Sequence, residues 1–572
     1  MPTVGSKEPI HYSPAGGHPN RPVTTRNLKG LLPSGRFSGQ RQGVILKTLR
    51  IQDGRPRLNL RSSYTWVMVT LACCTFGGGE ARAQGLPTIH IGAGDNGPPT
   101  FGPKLPALLG VNHSPVFVST TGTAYEVAEL YKQVGIKSVR THDDVFDPCK
   151  VYTDDTVRLN GVVVGNCTPA TTAADDVLWA SNSSPPSAAA YTWGAVNVAL
   201  TAINKANANV YLRLGESWNG SDQVDDPSDY AGVAATLASH VAGLASIEYA
   251  EIWNEPEGRF WEEATGPTAF YDLYDELVTQ ATVPLSITAG GAGFTHSGIE
   301  NMSTTAIVND WPTLAHPSGN DFISGHHYGA CLTGSSNEEY LVDWLDAVQA
   351  ELVANQLTVP LHVTEWNLDL PSSGCTLFGQ PTHASYTAAS LIIMSQDEFN
   401  IQRSHFYSGI GNGVGALFHP NGTNVSANPA SYGFWGYKSL ASKIRVSTTQ
   451  NWGTGSGTAA DAARAGIQWF AQAGSNVLGT TWALVVNDQS VAMNVKVVTG
   501  WVPTSSASVQ QVSGLTPVNV PAPFAGTTRT VTAADAAIPY AIPSVSRAWT
   551  IVGSTGEMVI TLPAYSITLM KI

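Results

Sequence analysis

Charged residues are scarce in this chain, and positive charge is the scarcer sign. Only 13% of the 572 residues are charged, with 30 Lys and Arg against 43 Asp and Glu, and the formal net charge is −13. A deficit of basic residues argues against nucleic acid or an anionic membrane as the main partner. Apolar residues make up 43% of the chain, which excludes general disorder and allows a large core.

Cysteine is also infrequent, and its spacing excludes one class of site. Beyond the first 83 residues there are only Cys149, Cys167, Cys331 and Cys375, none in the Cys-x-x-Cys spacing of a zinc or redox site. The chain also lacks a His-Glu-x-x-His motif and a glycine-rich phosphate loop. We therefore expect no metal and no cofactor. The order of the cysteines favours the pairs Cys149–Cys167 and Cys331–Cys375, with four free thiols as the alternative.

No apolar run in the N-terminal segment reaches the length of a membrane span of about 20 residues. Residues 1–83 are rich in Gly, Pro, Arg and Ser, and end with the basic Arg57 and Arg61, an apolar run over Tyr64–Phe76 and Ala81-Arg82-Ala83. This order is typical of a secretory signal, so we predict a disordered leader with a signal peptide and a secreted protein, extracellular or periplasmic, without a membrane partner after cleavage. A signal anchor, a lipidated Cys73 and a later start codon are the alternatives.

Alternating strand-like and helix-like segments follow a linker over residues 84–104. The predicted strands are Ala107–Val111, Ile136–Thr141, Asn209–Leu214, Tyr249–Trp253, Leu285–Ala289, Phe322–His326, Leu361–Thr364 and Gln402–Tyr407. The predicted helices include Ala124–Val134, Thr192–Asn207, Tyr230–Ala242, Ala269–Ala281, Tyr340–Asn355 and His383–Phe399. Eight strand–helix units predict an α/β fold with a catalytic (β/α)8 TIM barrel over residues 105–444.

Helix signals disappear after about residue 445. Short strand-like runs separated by Gly, Pro, Ser and Asn take their place: Trp482–Asn487, Ala492–Val498, Ser508–Val512, Trp549–Val552, Met558–Leu562 and the final Ser566–Ile572. This pattern predicts an antiparallel β-sandwich domain over residues 445–572.

Two glutamates stand at equivalent places in the predicted barrel. Glu255 follows strand 4 in Trp253-Asn254-Glu255-Pro256, and Glu365 follows strand 7 in Thr364-Glu365-Trp366-Asn367. Active sites of such barrels lie at the C-terminal ends of the strands, where these two strands face each other. Hydrolysis of a glycosidic bond needs one protonated and one ionised carboxyl group, about 5 Å apart when the configuration is retained. The pair therefore predicts a glycosidase; a helix cap or a salt bridge is the alternative for either glutamate alone.

The chain resembles glycoside hydrolase family 39, which includes β-xylosidases and α-L-iduronidases. Three segments carry the resemblance: Gly135–His142 on strand 2, Trp253–Pro256 on strand 4 and Asp321–Tyr328 on strand 6. The Asn-Glu-Pro motif is common to the superfamily of retaining barrel glycosidases, and the other two segments are more selective. The resemblance extends over residues 105–570.

The resemblance implies roles for individual residues. Glu255 is the expected acid/base and Glu365 the expected nucleophile of a covalent, retaining mechanism. Asn254 is expected to bind the sugar 2-hydroxyl, Tyr328 to contact the nucleophile, and Arg140 to keep it ionised. His142 and His326 are expected to bind sugar hydroxyls.

Further residues near the strand ends are weaker candidates. Trp218 and Trp366, with Trp261, are candidates for stacking on a sugar, with core packing as the alternative. Glu216 is a candidate third carboxylate or a loop salt bridge, and we expect His327 to be structural.

The sequence leaves the sugar, the linkage and the oligomeric state open. We expect a carbohydrate substrate and a retaining, β-xylosidase-like hydrolase acting on oligo- or polysaccharides. An endo-acting polysaccharide hydrolase or transglycosylase is one alternative, and a carbohydrate-binding protein without catalysis is another. The long segment Asp144–Tyr191 and the loops with Cys331 and Cys375 lie at the predicted mouth, where substrates are selected.

Overall fold

A computed structural model describes most of the chain beyond the predicted leader. The described residues are 85–92, 100–119, 121–142, 145–146, 148, 158–159, 162–163, 177–179, 191–215, 223–224, 227–256, 267–300, 321–332, 336–371, 373–477 and 479–572. They belong to one compact unit, Glu80–Ile572. The predicted leader and signal peptide, Cys149, Cys167, Trp218, Trp261 and Glu216 lie outside them.

Eight parallel strands form the central sheet, as predicted. In chain order they are β1 (Gly110–Asn112), β2 (Ser138–Arg140), β3 (Asn209–Arg213), β4 (Ile247–Glu251), β5 (Ala289–Gly290), β6 (Ile323–Tyr328), β7 (Leu361–Asn367) and β8 (Ile401–Phe406). Neighbours in this order pair in parallel except β5 and β6, and β8 pairs with β1. A bridge between Phe294, just after β5, and Gly325 of β6 closes the sheet into a barrel.

Strand β5 is shorter than predicted. Leu285–Ala289 was predicted as the fifth strand, whereas Val283–Leu285 forms a 3-10 turn and the strand begins only at Ala289. Pro284 lies inside the turn; its ring fixes φ and removes the N–H that a strand ladder needs. Glycine is required at the last position of the strand, because a Cβ at Gly290 would lie 2.4 Å from the carbonyl oxygen of Phe322.

In the described part of the chain, one α-helix follows each barrel strand. They are α1 (Ala128–Val134), α2 (Gly194–Lys205), α3 (Pro227–Leu244), α4 (Pro267–Leu277), α5 (His296–Glu300), α6 (Ser336–Ala354), α7 (Pro381–Met394) and α8 (Ala430–Lys438). In α2 the buried Val196, Ala199, Leu200 and Ile203 recur at helical spacing and cover the barrel. Within the described residues, every helix is too short or too polar to cross a lipid bilayer.

The start of α1 differs from the sequence prediction. The helix was predicted from Ala124, but Ala124–Glu126 is a strand that pairs with Val116–Val118 and with Thr528–Thr530. The second of these partners is about 400 residues away in the chain, so local periodicity could not reveal the pairing.

Two sheets at the C-terminal side pack face to face, as expected for a sandwich. One has seven strands and the other six, and a buried apolar cluster with Val446, Val485, Val497 and Ile560 lies between them. The six-stranded sheet is not fully antiparallel, because Thr88–Ile91 runs parallel to Met493–Thr499.

Both ends of the unit contribute strands beyond the predicted ranges. Thr88–Ile91 and Phe101–Lys104, in the predicted linker, pair with strands of the two sandwich sheets. In the opposite direction, Val518–Pro521 leaves the sandwich and pairs with Asn424–Ala427, beside the barrel. Side chains of α7 and α8 share one buried cluster with Leu484 of the sandwich. The sandwich therefore packs against the side of the barrel that carries β7 and β8.

Candidate active site

The backbone turns sharply at the end of β4, where it presents Glu255. Glu255 has a left-handed φ of 50°, and its N–H donates to the carbonyl oxygen of Gly293 at 2.9 Å. A non-glycine residue in this conformation costs on the order of 1–3 kcal/mol, and such costs persist where the surrounding structure enforces them. Asn254 is buried beside it, and Glu255 points into the barrel mouth, where it lines a cavity of about 770 Å³.

Glu365 lies within β7, not after it as predicted. Gly325 of β6 pairs with Val363, whereas the next residue, His326, pairs with Glu365, so Thr364 is the extra residue of a bulge. A bulge changes the direction of the side chains that follow it. The result is that Glu365 lines the cavity, while its neighbour Trp366 faces away from it.

The two glutamates meet at the barrel mouth. One carboxylate oxygen of Glu255, one of Glu365 and a ring nitrogen of His326 all lie within 4.8 Å of one another. Retaining glycosidases hold their carboxyl groups about 5–5.5 Å apart, and inverting enzymes about 6.5–9.5 Å apart, to leave room for a water molecule. The separation therefore fits direct attack by one carboxylate on a sugar.

Three side chains surround the carboxylate of Glu365. Arg140 Nη1 donates to Oε1 at 2.8 Å, His142 Nε2 lies 2.7 Å from the same oxygen, and the Tyr328 hydroxyl donates to Oε2 at 2.6 Å. Burial alone would raise the pKa of Glu365, but the charges of His142, His326 and Arg140 hold it well below its ordinary value. Burial, followed by the charge of Glu365, raises the pKa of Tyr328 well above its ordinary value, so Tyr328 remains a neutral donor.

Arg140 is completely buried and has partners on four sides. Besides Glu365, its guanidinium donates to Glu251 Oε2 at 2.6 Å, to Asn112 Oδ1 at 2.9 Å and to Asn254 Oδ1 at 2.6 Å. Burial would lower its pKa, but Glu251 and Glu365 raise the pKa above its ordinary value. Arg140 thus fixes the positions of residues on β1, β4 and β7 at once.

Sequence reasoning missed Glu251 and Asn112. Glu251 ends β4, has no exposed surface, and accepts hydrogen bonds from Arg140 and from Ser324 at 2.7 Å. A charged residue at the end of a buried strand is the signal that could have identified it, because an unpaired buried charge is costly. Asn112 gives no such signal, since an amide at a strand end is common.

His326 lies between the two glutamates. Its Nδ1 is 2.7 Å from Glu255 Oε1, and its Nε2 is 3.5 Å from Glu365 Oε1. The two carboxylates differ in exposure: the side chain of Glu255 is 23% exposed and that of Glu365 only 6%. This difference suits a proton donor that exchanges with solvent and a nucleophile that is shielded from it.

The same three groups are spaced as metal ligands could be. The ligand atoms of Glu255, His326 and Glu365 are close enough together to reach one ion. The guanidinium of Arg140 lies 2.8 Å from Glu365 Oε1, and its positive charge makes the position less favourable for a further cation. The expectation of a metal-free site remains a prediction.

The predicted sugar contact of Trp366 is wrong. Its side chain is only 1% exposed and packs against Phe406 and Phe434, on the outer side of the strand. Because side chains alternate along a strand, a residue next to Glu365 must point the other way.

Trp218 lies outside the described residues. His327 is buried behind the mouth against Trp344, as expected for a structural residue.

The cavity joins most of the predicted residues into one site. Its lining includes, on the described part of the chain, His142, Asn254, Glu255, Thr295, His296, Ser297, His326, Tyr328, Tyr340, Glu365, Leu370, Pro371, Tyr407 and Asn412. Asn254, His142, His326 and Tyr328 are thus brought together with both glutamates, and Arg140 supports them from below.

No protein-family model matches the chain, and no curated protein matches it in sequence. Solved structures are similar in fold. A glucosidase from Croceicoccus marinus aligns with a TM-score of 0.56 at 13% identity, over 85% of this chain and 98% of that one. An α-L-arabinofuranosidase from Thermotoga maritima gives 0.55 at 12% identity, over 85% and 99%. A monomeric β-xylosidase from Caulobacter crescentus gives 0.50 at 13% identity, over 85% and 99%.

These identities are low, so the comparisons concern the fold. The alignments extend over nearly the full length of each solved glycosidase. The chain therefore has the barrel-and-sandwich fold that solved glycoside hydrolases also have, with two close carboxylates at the mouth of its barrel.

Proposed function

We propose that the protein is a retaining glycoside hydrolase that cleaves O-glycosidic bonds of oligo- or polysaccharides. The observation that supports this proposal is the approach of Glu255 and Glu365 to within 4.8 Å at the barrel mouth. The likeness in fold to a glucosidase, an arabinofuranosidase and a xylosidase is in agreement with it.

The geometry supports different catalytic roles for the two glutamates. Glu365 attacks the anomeric carbon while Glu255 gives its proton to the leaving oxygen, so that a carbon–carboxylate bond forms as the glycosidic bond breaks. Glu255 then takes a proton from water, whose oxygen displaces Glu365 from the same carbon. Asn254 is held by Arg140 where its amide could bind the sugar 2-hydroxyl.

The finer assignment is a β-xylosidase-like enzyme of glycoside hydrolase family 39. Its support is that the two more selective segments, Gly135–His142 and Asp321–Tyr328, supply four residues around the glutamates: Arg140, His142, His326 and Tyr328. We further propose that the protein is secreted, because the disulfide between Cys331 and Cys375 requires an oxidising compartment.

A substrate screen tests the activity and its class. The panel holds nitrophenyl β-xyloside, α-arabinoside, β-glucoside, β-galactoside and α-iduronide. We expect turnover of at least one member, and NMR of the first-formed product should show the anomer of the substrate. An inverted product would exclude Glu365 as the nucleophile, and preference for a glycoside other than the xyloside would contradict the finer assignment.

Variants of the two glutamates separate their roles. We expect Glu365→Ala and Glu255→Ala to lose turnover by several orders of magnitude. Added azide should restore Glu255→Ala with a glycosyl azide of retained configuration, and Glu365→Ala with an inverted one. Glu557→Gln, a half-exposed carboxylate of the sandwich that pairs with Lys496, is the matched control and should keep full activity. Equal activity in all three variants would contradict the proposal.

A further inference from the structure

Two ring side chains, Tyr340 and His296, lie at the rim of the catalytic cavity, and neither belongs to the sequence motifs described above. Tyr340, in the first turns of α6, is 37% exposed, although its helix neighbours Leu341 and Val342 are buried. Its ring stacks on His296 with a centroid distance of 5.2 Å and an interplanar angle of 16°. Both rings line the same cavity as Glu255 and Glu365.

Contacts among α5, α6 and β6 hold the pair in place. The Tyr340 hydroxyl is hydrogen-bonded to His296 Nε2 at 3.1 Å, and the indole N–H of Trp344 donates to the His296 carbonyl oxygen at 3.3 Å. The buried His327 of β6 packs behind, 5.1 Å from the His296 ring. A rigid ring surface loses little entropy when it binds a ligand, which distinguishes a platform from a mobile side chain.

The position of the pair in the barrel indicates which part of a substrate it meets. Glu255 follows β4, His296 begins α5 after β5, and Tyr340 lies on α6 after β6. Around the rim the pair therefore lies between Glu255, which follows β4, and Glu365 on β7, while Tyr407 and Asn412 line the cavity on the β8 side. The group that receives the proton of Glu255 is the leaving group, so it must extend toward this rim.

We propose that His296 and Tyr340 form the binding subsite for the leaving-group sugar, with the ring of Tyr340 beneath the apolar C–H face of a pyranose. The inference rests on the proposed glycosidase function and adds to it a leaving group that is itself a sugar. An aromatic ring with a polar tip suits this ligand, because it offers an apolar face and a hydroxyl together.

Two substrates with the same transferred sugar test the subsite. One is the glycosyl fluoride, whose leaving group is too small to reach Tyr340, and the other is the matching disaccharide. We expect Tyr340→Ala to lower kcat/KM for the disaccharide by about tenfold to a hundredfold. The same variant should hydrolyse the fluoride like the parent. Tyr340→Phe keeps the ring and should stay within about threefold of the parent on both substrates.

The outcomes separate this inference from the proposed function. If the parent enzyme hydrolyses neither substrate under any condition, the glycosidase proposal fails. If the parent is active but Tyr340→Ala lowers both activities equally, or lowers neither, the proposed subsite is contradicted and the glycosidase proposal stands. Phe101→Ala, which removes an exposed aromatic ring from a strand of the sandwich, is the control and should change neither activity.

Discussion

A single buried arginine organises the site at the scale of residues. Arg140 donates to two carboxylates and two amides, which come from β1, the end of β4 and β7. An unpaired buried guanidinium would be very costly, and Arg140 avoids this cost by pairing with both Glu251 and Glu365. Tyr328 and His142 then complete the environment that keeps Glu365 ionised.

The pKa of Glu365 leads to a prediction about pH. Although burial raises it, His142 contributes the largest opposing effect, and the net pKa is low. Activity should therefore persist as the pH falls, until Glu365 takes up a proton. His142→Gln removes the charge, so the pKa of Glu365 should rise and the acid limb of kcat/KM should move to higher pH.

The control is His419→Gln, which changes a half-buried histidine outside the cavity and should leave that limb in place. An unchanged acid limb in His142→Gln would contradict the charge effect.

At the scale of elements, sequence reasoning succeeded where signals are local. Apolar runs located the eight barrel strands, the fifth only at its last predicted residue, Ala289. The polar residues at the strand ends include Glu255, Glu365 and His142, which line one cavity. It was inaccurate where distant partners decide the structure, as at Thr88–Ile91, which is a strand because Thr448–Asn451 and Met493–Thr499 pair with it. The bulge at Thr364 is a further case, because register is a property of two strands and not of one.

The disulfide between Cys331 and Cys375 was predicted from spacing and is confirmed. It joins the segment after β6 to the segment after β7, and Leu370 and Pro371 of the latter segment line the cavity. A sequence separation of 44 residues corresponds to a stabilisation of about 3–4 kcal/mol. The double variant Cys331→Ser/Cys375→Ser should therefore unfold at a clearly lower urea concentration than the parent. Dithiothreitol should lower the urea midpoint of the parent toward that of the variant and leave the midpoint of the variant nearly unchanged. An equal fall of both midpoints would mean that another reducible bond causes the stabilisation.

At the scale of the whole molecule, the barrel and the sandwich meet around two buried carboxyl groups. Glu338 of α6 is 1% exposed and Asp488 of the sandwich 3%, and Ser385 of α7 donates a hydrogen bond to Asp488. Burial raises the pKa of Glu338, and burial followed by the charge of Glu338 raises the pKa of Asp488 well above its ordinary value. Tyr386 of α7, also near the pair, has its pKa raised by burial and stays neutral.

This junction should make the stability of the protein depend on pH. Both carboxyl groups hold their protons more tightly in the folded chain than in the unfolded chain. Their contribution is therefore complete below the unfolded pKa values and is lost as the pH rises through the folded ones. As the pH rises above the unfolded pKa values of about 4, the unfolding midpoint of the parent should fall more steeply than that of Glu338→Gln/Asp488→Asn. Glu557→Gln, as the control, should follow the parent.

Because the pKa of Glu365 is shifted downward, its effect on stability belongs to lower pH and does not obscure the comparison. Parallel curves for the parent and the double variant would show that these carboxyl groups carry no pH dependence.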